Sequence, residues 1–122
     1  MAEEEDIVLD SKQKKEAIAV LKRTPFSNVK IVESHYFNKF GKPRHGVPLE
    51  KASKIYPQID KIIMVTYRNS PGGRKYAFNY RLNKKESYRF LFFIDRKPIE
   101  LFNVISTGSG VEKKLFKKFG FR

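Results

Sequence analysis

The spacing of apolar side chains predicts helices in the first half of the chain. Ser11 suits the N-cap of a helix over Lys12–Arg23, whose apolar residues recur on one face. Leu49–Tyr56 has the same periodicity and follows Pro48, which predicts a second, shorter helix. Between them, Ser27–Phe40 fits either a helix or a short strand that leads into a helix.

After residue 60 the pattern becomes that of β-strands. Alternating segments and apolar runs are separated by short polar turns, and short turns join antiparallel strands. A basic segment near the end of the sequence again has apolar residues at helical spacing. The predicted strands and final helix are Lys61–Arg68, Lys75–Leu82, Ser87–Ile94, Ile99–Ile105 and Val111–Phe119. We therefore expect an α+β fold, with N-terminal helices followed by a four-stranded antiparallel sheet (a meander) and a short C-terminal helix.

Charge divides the chain into two unequal parts. Residues 1–10 contain five acidic side chains and no basic one, which predicts an acidic flexible tail. Residues 11–122 contain 26 Lys and Arg against 8 Asp and Glu, a net charge of +18, and we expect them to form a single basic α+β domain. Repulsion of this size destabilises a compact state, so a polyanionic partner, most simply RNA, is expected.

Several classes of protein are disfavoured by what the sequence lacks. There is no cysteine, no metal-binding motif and neither of the two common glycine motifs for nucleotide phosphates, so we expect no cofactor and no metal site. Ser106-Thr107-Gly108-Ser109-Gly110 could wrap a phosphate in front of a helix, but a plain connector is the simpler interpretation. No apolar run approaches the roughly 20 residues of a membrane helix, and the first residues do not have the pattern of a signal peptide. These observations favour a cytoplasmic protein without a membrane partner.

Two short motifs resemble a known toxin family. The first motif, Arg44-His45-Gly46-Val47 followed by Leu49-Glu50-Lys51-Ala52, is similar to the basic-His-Gly-Val-x-Phe-x-x-Ala segment of BrnT toxins. The second, Val104-Ile105-Ser106 followed by Glu112-Lys113, is similar to the family's closing Ile-Ser-Ala-Arg segment with its later Glu-basic pair. BrnT toxins are RelE-like ribonucleases of type II toxin–antitoxin systems. The resemblance implies metal-independent cleavage of RNA by 2′-hydroxyl attack, action at the ribosome and inhibition by an acidic antitoxin. Thr107-Gly108 stands where the family has an arginine, so Arg89 or Lys113 would have to supply that cation.

The chemistry of metal-free RNA cleavage sets the candidate residues. It needs a base for the 2′-hydroxyl, an acid for the leaving oxygen and cations for the phosphate. Histidine serves either proton role, and Arg or Lys supplies the charge. The candidate catalytic residues are His45, His35, Arg89 and Arg81. The candidate nucleic-acid-binding residues are Lys39, Arg44, Lys75, Thr107, Lys113, Lys114 and Lys117.

Other functions remain open at this point. One alternative is a non-catalytic RNA- or DNA-binding module, in which aromatic side chains of an open sheet face stack on bases. Its stacking candidates are Tyr76, Phe78, Tyr80 and Tyr88. Another is a basic protein that binds an acidic protein. His35 could also be an ordinary, partly buried histidine and His45 a solvated one, and the sequence leaves the oligomeric state open.

Overall fold

The computed structural model describes residues 6–107, so the predicted helix Val111–Phe119, with Lys113, Lys114 and Lys117, lies outside the described residues. The helices are α1 (Ser11–Lys22), α2 (Glu33–Tyr36) and α3 (Leu49–Ile55). The strands are β1 (Ile7–Val8), β2 (Lys30–Ile31), β3 (Ile62–Ser70), β4 (Gly73–Arg81), β5 (Ser87–Phe93) and β6 (Glu100–Ser106). Among these helices, none is long and apolar enough to cross a membrane.

All the strands belong to one mixed sheet in the order β1-β3-β4-β5-β6-β2. The predicted α+β class is confirmed, and β3 to β6 form antiparallel neighbours. The prediction of four strands, all antiparallel, is wrong. β1 adds a strand beside β3, and β2 runs parallel to β6 at the other edge. β1 is too short to show alternation, so the sequence pattern did not reveal it. β2 followed by α2 matches the short strand leading into a helix that Ser27–Phe40 allowed, although its parallel pairing with β6 was not predicted.

The described part of the predicted acidic tail belongs to the fold. Ile7 and Val8 pair with Tyr67 and Thr66 of β3, and Leu9 is buried in the core. The chain therefore enters the sheet before its first helix, and the prediction of a flexible segment over residues 1–10 is wrong from residue 6 onward. Backbone pairing and the burial of one leucine outweigh the polar composition of this segment.

The first helix has a different N-cap from the one predicted. Asp10, not Ser11, caps α1, because its Oδ1 accepts a hydrogen bond from the Gln13 backbone N–H at 2.7 Å. The Gln13 side chain in turn accepts from the Asp10 backbone N–H at 3.2 Å. This reciprocal capping box satisfies two backbone donors that a helix start otherwise leaves unpaired.

One face of the sheet packs under the helices and forms the core. The Tyr80 hydroxyl of β4 donates to the carbonyl of Tyr56, which follows α3, at 2.8 Å. The Tyr56 hydroxyl donates to the carbonyl of Thr24, which lies just after α1, at 2.8 Å. These two bonds connect β4 to the ends of α3 and α1. The residues predicted to stack on bases, Tyr76, Phe78, Tyr80 and Tyr88, are at most 8% exposed and all belong to this core. That prediction is wrong, because the helices cover the face on which these aromatic residues lie.

The other face of the sheet carries the intervening side chains. One row of neighbours across the strands comprises Thr66, Ala77, Leu91 and Asn103. The next row comprises Met64, Asn79, Arg89 and Ile105. Because strand side chains alternate between faces, the basic residues on this side come from the same alternation that buries the aromatic residues on the other.

Candidate nucleic-acid interface

Three cations lie on the face of the sheet that is turned away from the core. Arg68 and Lys75 are directly opposite each other on β3 and β4, and Arg89 projects from β5. We call the surface formed by Arg68, Lys75 and Arg89 the basic face. All three side chains stand on strands of the central sheet, so their positions are set by backbone pairing.

Asp6 joins two of these cations. Its Oδ1 accepts from Arg68 Nε at 3.0 Å, and its Oδ2 accepts from Arg89 Nη2 at 3.1 Å. The Asp6 side chain is 10% exposed, against 49% for Arg68 and 22% for Arg89. Arg89 Nε is buried and has no hydrogen-bond partner among the described residues. The Asp6 carboxylate thus accepts from only some of the N–H donors of Arg68 and Arg89, and at least one donor, Arg89 Nε, has no acceptor among the described residues.

A groove of about 220 Å³ runs beside this bridge. Lys75 and the ring of Phe102 both line it, with Lys75 Nζ 4.5 Å from the ring centroid. Phe102 has no residue opposite it on β5, because the register shifts between Leu91 and Phe92. Such a bulge redirects a side chain. Lys75 makes no ion pair with a carboxylate in the described part of the chain.

A second depression of about 270 Å³ adjoins the groove and shares Lys75 and Phe102 with it. His35 lines this depression, and its ring centroid lies 4.3 Å from that of Phe102. Arg96 lies on the same depression but is neutralised, since its guanidinium donates to Glu100 Oε1 at 2.7 Å and to the Gly72 carbonyl at 2.7 Å. This depression therefore brings together His35, whose imidazole can transfer a proton, and Lys75, which carries a positive charge.

His45, the other candidate catalytic histidine, lies away from both depressions. It is exposed in the loop between α2 and α3 and lines neither the groove nor the depression beside it. Arg44 lies in the same loop, where its Nη2 donates to the Ser34 carbonyl at 3.3 Å, and Lys39 lies near the loop's tip, over the ring of Phe40. The structure does not bring this part of the first motif to the basic face.

Arg81 and Thr107 lie at the far end of the sheet from Lys75. Arg81 is exposed at the last position of β4, opposite Ser87. Thr107 donates its backbone N–H to the Ser87 carbonyl at 2.9 Å and is half-buried. Neither residue lines the groove or the depression beside it. Among the predicted catalytic residues, Arg89 lies in the groove and His35 in the depression next to it.

The sequence-based prediction missed Asp6, Arg68 and Phe102. Arg68 could have been found, because placing the turn at Ser70–Gly73 puts it opposite Lys75. The position of Phe102 depends on a bulge, and that of Asp6 depends on the two-residue strand that follows it. Neither feature produces a periodic pattern in the sequence.

The described residues contain no cluster of three or more His, Cys, Asp or Glu side chains that could hold a metal ion. Comparisons with protein-family models, with curated proteins and with solved structures found no match for this chain.

Proposed function

We propose that this protein binds RNA through the basic face of its sheet. The observation that carries the proposal is the Asp6 carboxylate held between Arg68 and Arg89. Guanidinium groups bind carboxylate and phosphate oxygens through the same charge-assisted N–H donors, so an arrangement that holds one of these anions suits the other. The strands hold these cations in place before a ligand arrives, which lowers the entropic cost of binding.

The charge of the whole chain supports a polyanion rather than a single small anion. Residues 11–122 carry a net charge of +18, and each phosphate contact made by such a surface releases counterions into solution. RNA is favoured over DNA by the likeness of residues 44–52 to BrnT toxins. In this proposal Lys75, which has no carboxylate partner among the described residues, makes the first phosphate contact. Arg68 and Arg89 follow as Asp6 is displaced.

The proposal is tested by titrating a dye-labelled single-stranded RNA oligonucleotide with the full chain and recording fluorescence anisotropy. Lys75→Gln should weaken binding, because it removes a charge from the groove; the contact that it also loses, with the Phe102 ring, lies at a partly exposed position. Lys22→Gln is the matched control, since Lys22 is exposed at the end of α1, makes no ion pair in the described part of the chain and loses the same charge. Equal affinity of the original chain and both variants would contradict the role of the basic face.

A second candidate function is metal-independent cleavage of the bound RNA, as in RelE and BrnT toxins. The observation that favours it is His35 beside Lys75, both in contact with Phe102. In such a reaction a base takes the proton of the 2′-hydroxyl as its oxygen attacks the phosphorus and a 2′,3′-cyclic phosphate forms. The bond from phosphorus to the 5′-oxygen breaks, and that oxygen takes up a proton from an acid or from water. His35 could accept the first proton or donate the second, and Lys75 would stabilise the charge on the phosphate. An acidic antitoxin would compete for the same cations.

Cleavage is tested by incubating RNA with the full chain in EDTA and analysing the ends of the products. His35→Gln should abolish products with a 2′,3′-cyclic phosphate, whereas His45→Gln should retain them because His45 lies off the basic face. RNA that stays intact at protein concentrations sufficient to bind it would reject cleavage and leave RNA binding as the function.

A further inference from the structure

The loop between α2 and α3 contains a tight turn with its own hydrogen bonds. The Asn38 backbone N–H donates to the Lys42 carbonyl at 2.8 Å, and the Gly41 N–H donates to the Asn38 carbonyl at 3.0 Å. The Asn38 side-chain oxygen accepts from the backbone N–H groups of Phe40 and Lys42 at 2.9 and 3.2 Å. Gly41 has a φ of 75°, which favours glycine. Residues 38–42 thus form a hydrogen-bonded turn with Phe40 at its tip.

The base of this loop is anchored to the core. An isolated bridge pairs Phe37 with Pro43, and the Arg44 N–H donates to the Tyr36 carbonyl at 2.8 Å. The buried Tyr36 hydroxyl donates to the carbonyl of the buried Val47 at 2.6 Å, which joins the two ends of the loop. The loop therefore projects from the body as a preorganised unit.

Phe40 is 74% exposed, the most exposed large apolar side chain of the described residues. Its own surroundings are cationic: Lys39 Nζ lies 5.2 Å from the ring centroid, and Lys42 and Arg44 follow along the loop. Residues 34–49 contain these cations and two histidines but no carboxylate. An aromatic face surrounded by positive charge is suited to an unpaired nucleobase whose neighbouring phosphates meet the cations.

We propose that the loop of residues 37–47 (the Phe40 loop) binds single-stranded RNA by stacking Phe40 on an unpaired base, with Lys39, Lys42 and Arg44 contacting the flanking phosphates. This inference rests on the proposed RNA binding and specifies its substrate class. A second copy of this chain does not fit the same surface, because it would bring two sets of unneutralised cations together. Phe37 follows His35 by two residues, so one RNA strand could contact both the loop and the basic face.

Removing the ring tests the stacking contact. Phe40→Ala should weaken binding of a single-stranded oligouridine by about 5- to 150-fold, the range expected for one base stacked on an aromatic side chain. Phe40→Tyr should retain most of the affinity. Binding of double-stranded RNA should be unaffected, because its bases are already stacked on one another. The thermal midpoint of Phe40→Ala should match that of the original chain, since the ring is exposed.

A tryptophan at the same place reports the contact directly. The chain contains no Trp, so Phe40→Trp introduces a single fluorophore. Oligouridine should quench its emission, whereas an abasic oligonucleotide of the same length should not. Equal affinity of Phe40→Ala and the original chain, with the loss in Lys75→Gln intact, would overturn stacking and leave RNA binding standing. Absence of RNA binding by the original chain would overturn both proposals. A blue shift of the emission with vesicles containing phosphatidylserine, and no change with RNA, would overturn this one in favour of a membrane surface.

Discussion

Asp6 acts on the basic face in two opposing ways. Its carboxylate offsets one of the two positive charges of Arg68 and Arg89, which stabilises the half-buried Arg89 side chain in the absence of ligand. The same carboxylate occupies donors that a phosphate would use. Asp6 therefore favours folding but opposes RNA binding. A substitution at this position should lower the stability of the fold and raise the affinity for RNA.

Replacing Asp6 by Asn keeps the shape of the side chain and removes its charge. We expect the free energy of unfolding to fall by about 1 kcal/mol, because two charge-assisted hydrogen bonds at a partly exposed site are weakened. We expect RNA affinity to rise, since both arginines become available. Urea unfolding and RNA anisotropy measure the two effects. Asp60→Asn, at an exposed position with the same loss of charge, is the control, and a loss of affinity in Asp6→Asn would contradict the role assigned to it.

Tyr36 links the Phe40 loop to the pH dependence of stability. Burial raises the pKa of its hydroxyl from 10.0 to about 12. The protonated form is therefore favoured in the folded chain, so this contribution is complete below pH 10, where the unfolded chain is also protonated. It is lost as the pH rises toward 12. Burial also raises the pKa of Tyr56 and Tyr80, which act in the same direction.

We expect the free energy of unfolding to fall by about 1.4 kcal/mol per pH unit for each such tyrosine above about pH 10. Urea unfolding at a series of alkaline pH values measures this decline. Tyr36→Phe should make it shallower, at the cost of the hydrogen bond to Val47. Tyr67→Phe is the matched control, because it removes the same hydroxyl group from a position that is only half-buried. An equal slope in the original chain and Tyr36→Phe would contradict the effect of burial.

At the level of elements, long periodic segments were predictable and short ones were not. The alternation in Lys75–Leu82 predicted β4, and its two faces became core and basic face as the pleat requires. β1 has two residues and pairs with β3 at an edge, so no local pattern predicts it. β2 was allowed as a short strand before a helix, but its parallel pairing with β6 could not be predicted from two residues. The same reasoning applies to the site: Lys75 and Arg89 follow from strand patterns, whereas Asp6 and Phe102 depend on an edge pairing and a bulge.

The cap of α1 offers a local test of how the helix begins. Asp10→Ala should lower the free energy of unfolding by about 1 kcal/mol, because the Gln13 N–H loses its acceptor. Ser11→Ala should change it by less than about 0.5 kcal/mol, since Ser11 is exposed and does not cap the helix. Urea denaturation of both variants measures the difference. A larger loss in Ser11→Ala would mean that the helix begins one residue later.

At the scale of the whole molecule, α2 connects the two proposed contacts. His35 of this helix lines the depression beside the basic face, and Phe37, next after the helix, begins the Phe40 loop. The helices cover the opposite face of the sheet, where the aromatic residues form the core. One face of the sheet thus forms the apolar core and the other carries the cations. A chain of strong positive charge can therefore fold around a core and still present cations to a ligand.

The most direct test of the central claim is the salt dependence of RNA binding. For single-stranded nucleic acid, each lost phosphate contact should reduce the slope of log K against log salt by about 0.7. The double variant Arg68→Gln/Lys75→Gln should therefore lose about 1.4 from the slope of the original chain. Lys22→Gln/Lys54→Gln, with both changes at exposed helix positions, should keep that slope. Identical slopes for the original chain and both double variants would contradict binding of RNA by the basic face.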